Sequence, residues 1–339
     1  MASDDIRTVR LPAVPGSITS AHAGAARVLG EHSLGPPDVV HVVEYATAAA
    51  LDSYARVERA RAAALGEHRV PVTTVPVEAL LDPGAELAVE LTAFPGGGRA
   101  AGELRIAEDV VYLPGVRPHG GGDFRAQYRE CLENAARLLG PAGLGLESLV
   151  RTTDYTATAT RADYPRCGRP RRDLLPGPGP GAAGILVDRP VAPGVMVSLD
   201  ALASTAPLRA VNPGWRRYAT LTYKPGVVAG RTLHMSGFGA LEPATQKAIF
   251  AGDLAAQAEY VYASIAAVLR EAGLGEELPY GCVTRLVEYI TPDAAGRYEE
   301  VAGIRARYFG DVPALTPVVC SALLRPEFLI EVVPTAVLP

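Results

Sequence analysis

The chain has 339 residues and a net charge of −5 at pH 7, and no run of basic residues with interleaved aromatic side chains occurs in it. Its length allows two or three domains with substantial cores, while its charge gives it no reason to approach a phosphate backbone, so we do not expect nucleic acid as a partner. Apolar runs stop well short of a membrane span and the first ten residues lack a signal-peptide pattern, so we expect a cytoplasmic protein that does not enter membranes. The scattered cysteines and histidines show no metal-ligand spacing, and no metal or other cofactor is expected.

The first predicted elements form a shortened unit. The stretch TSAHAGAARVLGEHSL (19–34) predicts a helix, and VVHVVEYAT (39–47) has the alternation of a β-strand. A second helix containing Tyr54 follows, and PVTTVPVEALLDPGAELAVEL (71–91) predicts a pair of strands. Only DDIRTVRLPAVPG (4–16) precedes the first helix, so this unit lacks the hairpin that opens the next two.

The second group of elements begins with that hairpin, ELRIAEDVVYLPG (103–115). Next come a helix in DFRAQYRECLENAARLLGPAGL (123–144) and a strand in LVRTTDYTA (149–157). A further helix carries Tyr164, and PGAAGILVDRPVAPGVMVSLD (180–200) predicts another strand pair.

The third group repeats this order. KPGVVAGRTLHMSG (224–237) predicts the hairpin, and DLAAQAEYVYASIAAVLREAGL (253–274) aligns without a gap with the helix at 123–144. Asp253 is the expected N-cap of that helix and Gly273 its C-terminal stop. The strand VTRLVEYIT (283–291) and the strand pair in PALTPVVCSALLRPEFLIEVV (313–333) complete the group.

The three groups are therefore copies of one unit, which we call module 1 (residues 1–97), module 2 (98–206) and module 3 (207–339). Each central strand carries an acid followed by tyrosine, at Glu44-Tyr45, Asp154-Tyr155 and Glu288-Tyr289. Each module predicts an α+β sheet with both helices on one face. Three such sheets can bury their other faces against one another, which predicts an intramolecular pseudo-trimer with three inter-module clefts.

This pattern resembles the RidA/YjgF superfamily of enamine/imine deaminases, whose members are homotrimers of one such chorismate-mutase-like module with a site at each subunit interface. The family's tyrosine, followed thirteen residues later by Ser-Gly, matches Tyr223 and Ser236-Gly237. Its last-strand Val-Glu-Ile-Glu matches residues 330–333 and, in module 1, residues 89–91. The resemblance implies that Glu331 faces a cleft and orients the water that adds to an imine.

The chain also departs from the family. The arginine that clamps the substrate carboxylate is replaced by Val72, Ala182 and Leu315 in the three modules, and an aliphatic chain cannot take its role. Module 2 has Ala101 for the tyrosine, Pro114-Gly115 for Ser-Gly and Ser198 for the glutamate. Only module 3 keeps all three groups, so we expect one working cleft.

The candidate site residues follow from these matches. Glu331 sits among apolar residues, which favours a raised pKa or a specific partner and suits proton transfer. With it we predict Tyr223 and Ser236 as catalytic residues. The predicted substrate-binding residues are Gly237, Arg325 as an anion ligand, Glu90 by analogy with Glu331, and His234 as a possible base on the same strand face as Ser236.

Three functions stay open. The first is a cofactor-free enzyme that hydrolyses, deaminates or tautomerises an imine, an enamine or a similar unsaturated small molecule, in a specialised biosynthetic pathway. The second is a hydrolase acting on chorismate, because chorismatases are similar fused chains with a last-strand glutamate and an arginine six residues earlier, as in Arg325 and Glu331. The third is a non-catalytic protein that binds a small ligand. In each case we expect a monomer or an association of whole pseudo-trimers.

Overall fold

The computed structural model describes residues 7–177, 179–279 and 281–339, so the first six residues of module 1 lie outside the described residues. Within those ranges, no helix is both long enough and apolar enough to cross a membrane. The strands form one five-stranded and two seven-stranded sheets. The predicted α+β class is confirmed.

The elements occur in the predicted order. Module 1 contains β1 (Val9–Arg10), β2 (Val14–Gly16), α1 (Ile18–Glu31), β3 (Val39–Ala46), α2 (Ala48–Asp52), α3 (Tyr54–Leu65), β4 (Val72–Pro76), β5 (Ala79–Leu80) and β6 (Leu87–Ala93). Module 2 contains β7 (Arg99–Ala101), β8 (Leu104–Ala107), β9 (Val110–Tyr112), α4 (Phe124–Leu139), β10 (Leu149–Ala157), α5 (Gly168–Leu174), β11 (Gly181–Val187) and β12 (Val197–Ser204). Module 3 contains β13 (Leu208–Val211), β14 (Gly226–Ala229), β15 (Thr232–Met235), α6 (Leu254–Leu269), β16 (Val283–Ile290), α7 (Pro292–Ala295), α8 (Glu299–Phe309), β17 (Ala314–Val319), β18 (Ala322–Leu323) and β19 (Ile330–Val337).

Each sheet has the same three-strand centre. The orders are β6-β3-β4, β12-β10-β11 and β19-β16-β17. In all three, the middle strand pairs antiparallel with the first and parallel with the last. A parallel pair needs a crossover connection, and the second helix of each module supplies it.

Short strands cross from one module to the next. The hairpins β8-β9 and β14-β15 extend the sheets of modules 2 and 3, as predicted. At the opposite edges, β18 of module 3 pairs with β11 of module 2, and β5 of module 1 pairs with β17 of module 3. Backbone hydrogen bonds thus join sheets that belong to different modules.

The two faces of each sheet have different neighbours. The helices α1 and α3, α4 and α5, and α6 and α8 cover one face, and each set packs on its own apolar core. A separate apolar cluster contains residues of all three modules, among them Tyr45, Tyr155 and Tyr289, and it lies where the sheets face one another. Within this cluster the hydroxyl groups of Tyr155 and Tyr289 are 2.6 Å apart.

The repeated acid of the central strands faces the helices. The tyrosine of the second helix or turn donates to it in every module: Tyr54 to Glu44 at 3.0 Å, Tyr164 to Asp154 at 2.9 Å and Tyr298 to Glu288 at 2.5 Å. These acids are therefore structural acceptors that anchor the crossover helices on the sheets.

The ends of α6 agree with the predicted signals. The Asp253 side chain accepts a hydrogen bond from the backbone N–H of Ala256 at 3.0 Å, as an N-cap does. The regular helix ends at Leu269, and one wider turn leads to Gly273, whose φ of 112° stops it. The side chains of Cys131, Cys167 and Cys320 are all buried.

Candidate active site between modules 2 and 3

The strand β19 turns Glu331 away from the helices. Ile330 and Val332 pack in the helix-side core, whereas Val333 belongs to the cluster between the sheets. Side chains alternate along a strand, so Glu331 shares the face of Val333. The carboxylate therefore points towards a neighbouring module, as the resemblance implies.

The neighbour of Glu331 is β11 of module 2. The backbone of Gly184 is hydrogen-bonded to the carboxyl group, and a Cβ atom at Gly237 would overlap Oε1 and the methyl group of Ala183. Glu331 is only 6% exposed. Burial raises the pKa of its carboxyl group from 4.5 to about 8, against the smaller lowering effect of the Gly184 hydrogen bond. We call this region, between β11 and the residues Ser236, Gly237 and Glu331, the 2/3 cleft.

Ser236 and Gly237 join the two walls of the 2/3 cleft. The Ser236 hydroxyl donates to the carbonyl oxygen of Lys224 at 2.6 Å and accepts from the backbone N–H of Ala182 at 2.8 Å. The N–H of Gly237 donates to the carbonyl oxygen of Ala182 at 3.0 Å. Because its one proton is already donated, this hydroxyl holds the wall and has no proton for a reacting group.

An aromatic and cationic cluster lies close to the 2/3 cleft. Arg217 donates from Nη2 to the Tyr223 hydroxyl at 3.1 Å and covers the ring of Tyr218 at 5.2 Å. The rings of Tyr218 and Tyr223 meet edge to face, 5.6 Å apart. Burial raises the pKa of both tyrosines, and the charge of Glu331 contributes to each rise, so the cluster and the carboxylate are within electrostatic reach of each other.

Two arginines near Tyr223 were not predicted. Arg217 keeps its Nε buried without a hydrogen-bond partner. Arg171, on α5 of module 2, donates to the hydroxyl groups of Tyr128 at 2.8 Å and Thr222 at 3.2 Å. It thereby fixes the segment before Tyr223 to module 2. Neither arginine falls in a repeat position of the family motif, and the only sequence signal for Arg217 is its place in Trp-Arg-Arg-Tyr (215–218).

The sheet register corrects the prediction for Glu90. Glu331 pairs with Tyr289, and the corresponding residues paired with Tyr155 and Tyr45 are Ser198 and Ala88. Ser198 was thus matched correctly. Glu90 lies two positions further along its strand, at the place that Val333 holds in module 3, so the analogy between Glu90 and Glu331 is wrong.

Glu90 is also fully engaged. Arg285 donates to it from Nε at 2.5 Å and from Nη2 at 3.2 Å. Tyr45 and Thr316 donate to the same carboxylate at 3.2 and 3.1 Å. This buried ion pair joins module 1 to module 3 and leaves Glu90 no free acceptor for a substrate.

His234 and Arg325 lie outside the 2/3 cleft. His234 is fully buried, and it lines a small cavity between the modules together with Arg10 and Arg151. Burial and these two arginines lower its pKa well below the usual value, so the ring is neutral. Arg325 is exposed in the turn between β18 and β19 and is not among the groups around the Glu331 carboxyl. The predicted set therefore comes together only as Glu331, Tyr223, Ser236 and Gly237.

The cleft between modules 1 and 2 has the same construction without the glutamate. The N–H of Gly115 donates to the carbonyl oxygen of Val72 at 3.0 Å, in the manner of Gly237 and Ala182. A cavity of about 320 Å³ opens here, and Ser198 and Arg117 are on its wall. Among the residues that the structure describes, no group of three or more His, Cys, Asp or Glu side chains is arranged to hold a metal ion.

Comparison with known proteins finds a family match over about the last third of the chain. Residues 216–338 match the family described as Endoribonuclease L-PSP. The predicted resemblance is confirmed there. No curated protein matches the chain.

Solved structures are similar to most of the chain or to a little over a third of it. A crystal structure of chorismatase covers 88% of this chain and 93% of its own, with 14% identity and a TM-score of 0.59, which shows a shared fold. A Mycobacterium tuberculosis member of the YjgF/YER057c/UK114 family is 24% identical over 39% of this chain and 100% of its own, with a TM-score of 0.32. E. coli TdcF with bound serine is 21% identical over 34% of this chain and 88% of its own, with a TM-score of 0.30.

Proposed function

We propose that the chain is an intramolecular pseudo-trimer of modules 1–97, 98–206 and 207–339, and that its 2/3 cleft performs cofactor-free acid-base chemistry on a small unsaturated molecule. One observation carries this proposal: Glu331 is a buried carboxyl group at an inter-module wall, backed by two glycines and without an arginine or lysine partner among the groups around it. A structural glutamate in the same protein, Glu90, has a bidentate arginine instead.

The protonation state of Glu331 suits a group that both takes and gives a proton. With a pKa of about 8, it exists in both forms in the neutral range. A general acid-base catalyst works best when its pKa lies near the working pH. For hydrolysis of an imine, the carboxylate takes a proton from water as the water oxygen bonds to the imine carbon. The resulting acid gives that proton to the imine nitrogen, which completes a carbinolamine. The carboxylate then takes the proton of the carbinolamine hydroxyl and passes it to the nitrogen as the C–N bond breaks, so that the products are a carbonyl compound and ammonia or an amine.

Arg217 is the group that we assign to the acidic end of the substrate. Its Nε is buried and free of hydrogen bonds, and its Nη2 is held by the Tyr223 hydroxyl. A guanidinium group binds a carboxylate through two parallel N–H groups. Arg217 thus offers, from a different segment, the contact that Ala182 cannot make at the family's arginine position. Tyr223 orients this arginine.

The test compares two substitutions at equivalent register positions. Wild type, Glu331→Gln and Ser198→Ala are assayed on imines, enamines and unsaturated keto acids. We expect Glu331→Gln to lose about 10²- to 10⁴-fold in turnover, because it keeps the shape and removes the proton-transfer group. Ser198→Ala is expected to keep the wild-type rate. Full turnover by Glu331→Gln on a substrate that the wild type converts would refute the proposal.

A chorismatase-like hydrolase is the second candidate, favoured by the likeness of fold over most of both chains. It uses the same cleft, with Arg217 facing a carboxylate of chorismate. Chorismate is added, as a separate substrate, to this panel of imines, enamines and unsaturated keto acids. Release of pyruvate from chorismate, and no turnover of imines, would favour this alternative over the first. Binding of panel members without turnover by the wild type would indicate a non-catalytic ligand-binding protein.

A further inference from the structure

A small cavity lies between the three modules, away from the 2/3 cleft. Its volume is about 20 Å³. Module 1 contributes Arg10 and Glu90 to the wall, module 2 contributes Arg151, and module 3 contributes His234 and Arg285. A cavity of this size holds one atom-sized occupant and excludes phosphate, sulfate or an organic molecule.

Two side chains on the wall have polar atoms without partners. Neither ring nitrogen of His234 has a hydrogen-bond partner, and Nε of Arg151 has none. Both residues are deeply buried, at 0% and 3% exposure. Buried donors in folded proteins are nearly always hydrogen-bonded, so orphaned atoms that line one cavity indicate a missing acceptor.

The sheet register brings these two residues together. His234 pairs with Thr335 on the neighbouring strand. Arg151, which comes from module 2, donates from Nη1 to the Thr335 hydroxyl at 3.0 Å. The guanidinium group of Arg151 therefore sits beside the His234 ring, and their orphaned N–H groups reach the same space.

The charges on the wall leave an excess of one positive charge. Three arginines, at positions 10, 151 and 285, face two acids, Glu90 and Asp200. Arg285 satisfies Glu90 in a close ion pair. Arg151 is 3.7 Å from Asp200, and Arg10 makes one long hydrogen bond of 3.5 Å to Thr284. Arg10 is half-buried and also lines an outer pocket with Glu108 and Asp109, whereas the charges that act on the His234 ring are those of Arg151 and Arg10.

We propose that this cavity binds a single monatomic anion, chloride under ordinary conditions, through the N–H groups of Arg151 and His234. The ion supplies the acceptor that both donors lack, in the positive field of Arg151 and Arg10. Because its ligands come from modules 2 and 3 and Arg10 of module 1 contributes to that field, the bound ion ties the three modules together.

Heavier halides test the site directly. Crystals of the wild-type protein are grown with bromide in place of chloride, and anomalous diffraction is measured. We expect an anomalous peak in the cavity, in contact with Arg151 and His234. Non-anomalous density at that position would mean that a water molecule fills the cavity and would overturn the proposal.

Thermal unfolding tests anion binding in solution. At constant ionic strength, replacing gluconate by about 100 mM chloride should raise the Tm of the wild type by about 2 °C, because an ion that binds only the folded state stabilises it. Arg151→Met should lose this response, while Arg59→Gln, an exposed arginine on α3, should keep it. Equal melting of the wild type in both salts would contradict the proposal. Should Arg151→Met fail to fold, the bromide experiment on the wild type still decides.

Discussion

Replacing Glu331 by glutamine should change how the stability of the protein depends on pH. The carboxyl group is buried in the folded chain, where its pKa is about 8, and it returns to the ordinary value of 4.5 on unfolding. Glutamine has nearly the same shape and does not ionise. The substitution therefore isolates the free-energy effect of one titrating group, whatever the substrate is.

The number of protons bound in the folded and unfolded states gives the direction of this pH dependence. Below pH 4.5 the group is protonated in both states and makes no pH-dependent difference. Between pH 4.5 and 8 the unfolded chain releases the proton while the folded chain keeps it, so rising pH destabilises the wild type. Above pH 8 both states are ionised and the effect is constant. A pKa rise from 4.5 to about 8 corresponds to a total of up to about 5 kcal/mol, at about 1.4 kcal/mol for each pKa unit.

Urea denaturation of both proteins from pH 4 to pH 9 measures this difference. The free energy of unfolding of Glu331→Gln, minus that of the wild type, should increase steadily across the window from pH 4.5 to 8 and level off above it. Glu58→Gln, at an exposed glutamate on α3, is the matched control and should give a flat difference. A flat difference for Glu331→Gln as well would refute a buried carboxyl group with a raised pKa, and with it the basis of the proposed chemistry.

Three further predictions concern the rest of the chain. Arg285→Met leaves the buried Glu90 unpaired, so urea denaturation should show a loss of about 3 to 5 kcal/mol; combining it with Glu90→Leu should recover much of that loss, and no recovery would contradict a direct pair. The four cysteines are buried, and burial raises the pKa of each thiol, for Cys167 to about 12. A thiol reagent should therefore label them only after denaturation, and rapid native labelling of Cys167 would be inconsistent with this. Light scattering should give one chain or a whole-number assembly of folded chains, whereas an obligate trimer that dissociates into unfolded chains would exclude a self-contained pseudo-trimer.

The helices and strands could be predicted from the sequence because the same pattern occurs in it three times. The shared acid-tyrosine strand, the gap-free helix alignment and the hairpins at 103–115 and 224–237 all appear where expected. The placement of Glu331 at a cleft was implied by the family resemblance, and strand alternation agrees with it, because Glu331 shares the face of Val333.

The strand register and the contacts between distant residues could not be predicted from the sequence. The short motif around Glu90 matched a last strand, but a two-residue offset keeps a side chain on the same face, so the alternation of apolar residues could not separate position 331 from position 333. The ion pair with Arg285 joins residues 195 positions apart. Likewise, the spacing between Arg325 and Glu331 carried no information about the turn that exposes Arg325.

The same limit applies to the residues of the candidate site, whose contacts could not be predicted from the sequence. Ser236 was predicted from its motif, and the structure adds that its proton is donated to the carbonyl oxygen of Lys224. Arg217 was missed because it precedes the hairpin in an irregular segment, where no periodicity constrains a side chain. His234 was placed on the correct face, but its neighbours come from strands of other modules.

The most direct test of the account is a crystal structure of the Glu331→Gln protein soaked with whichever panel member the wild type converts. The proposed function predicts that the unreacted molecule lies in the 2/3 cleft, with its reacting carbon beside residue 331 and its acidic group on Arg217. Density for the molecule in the cleft beside Ser198, with the 2/3 cleft empty, would contradict it.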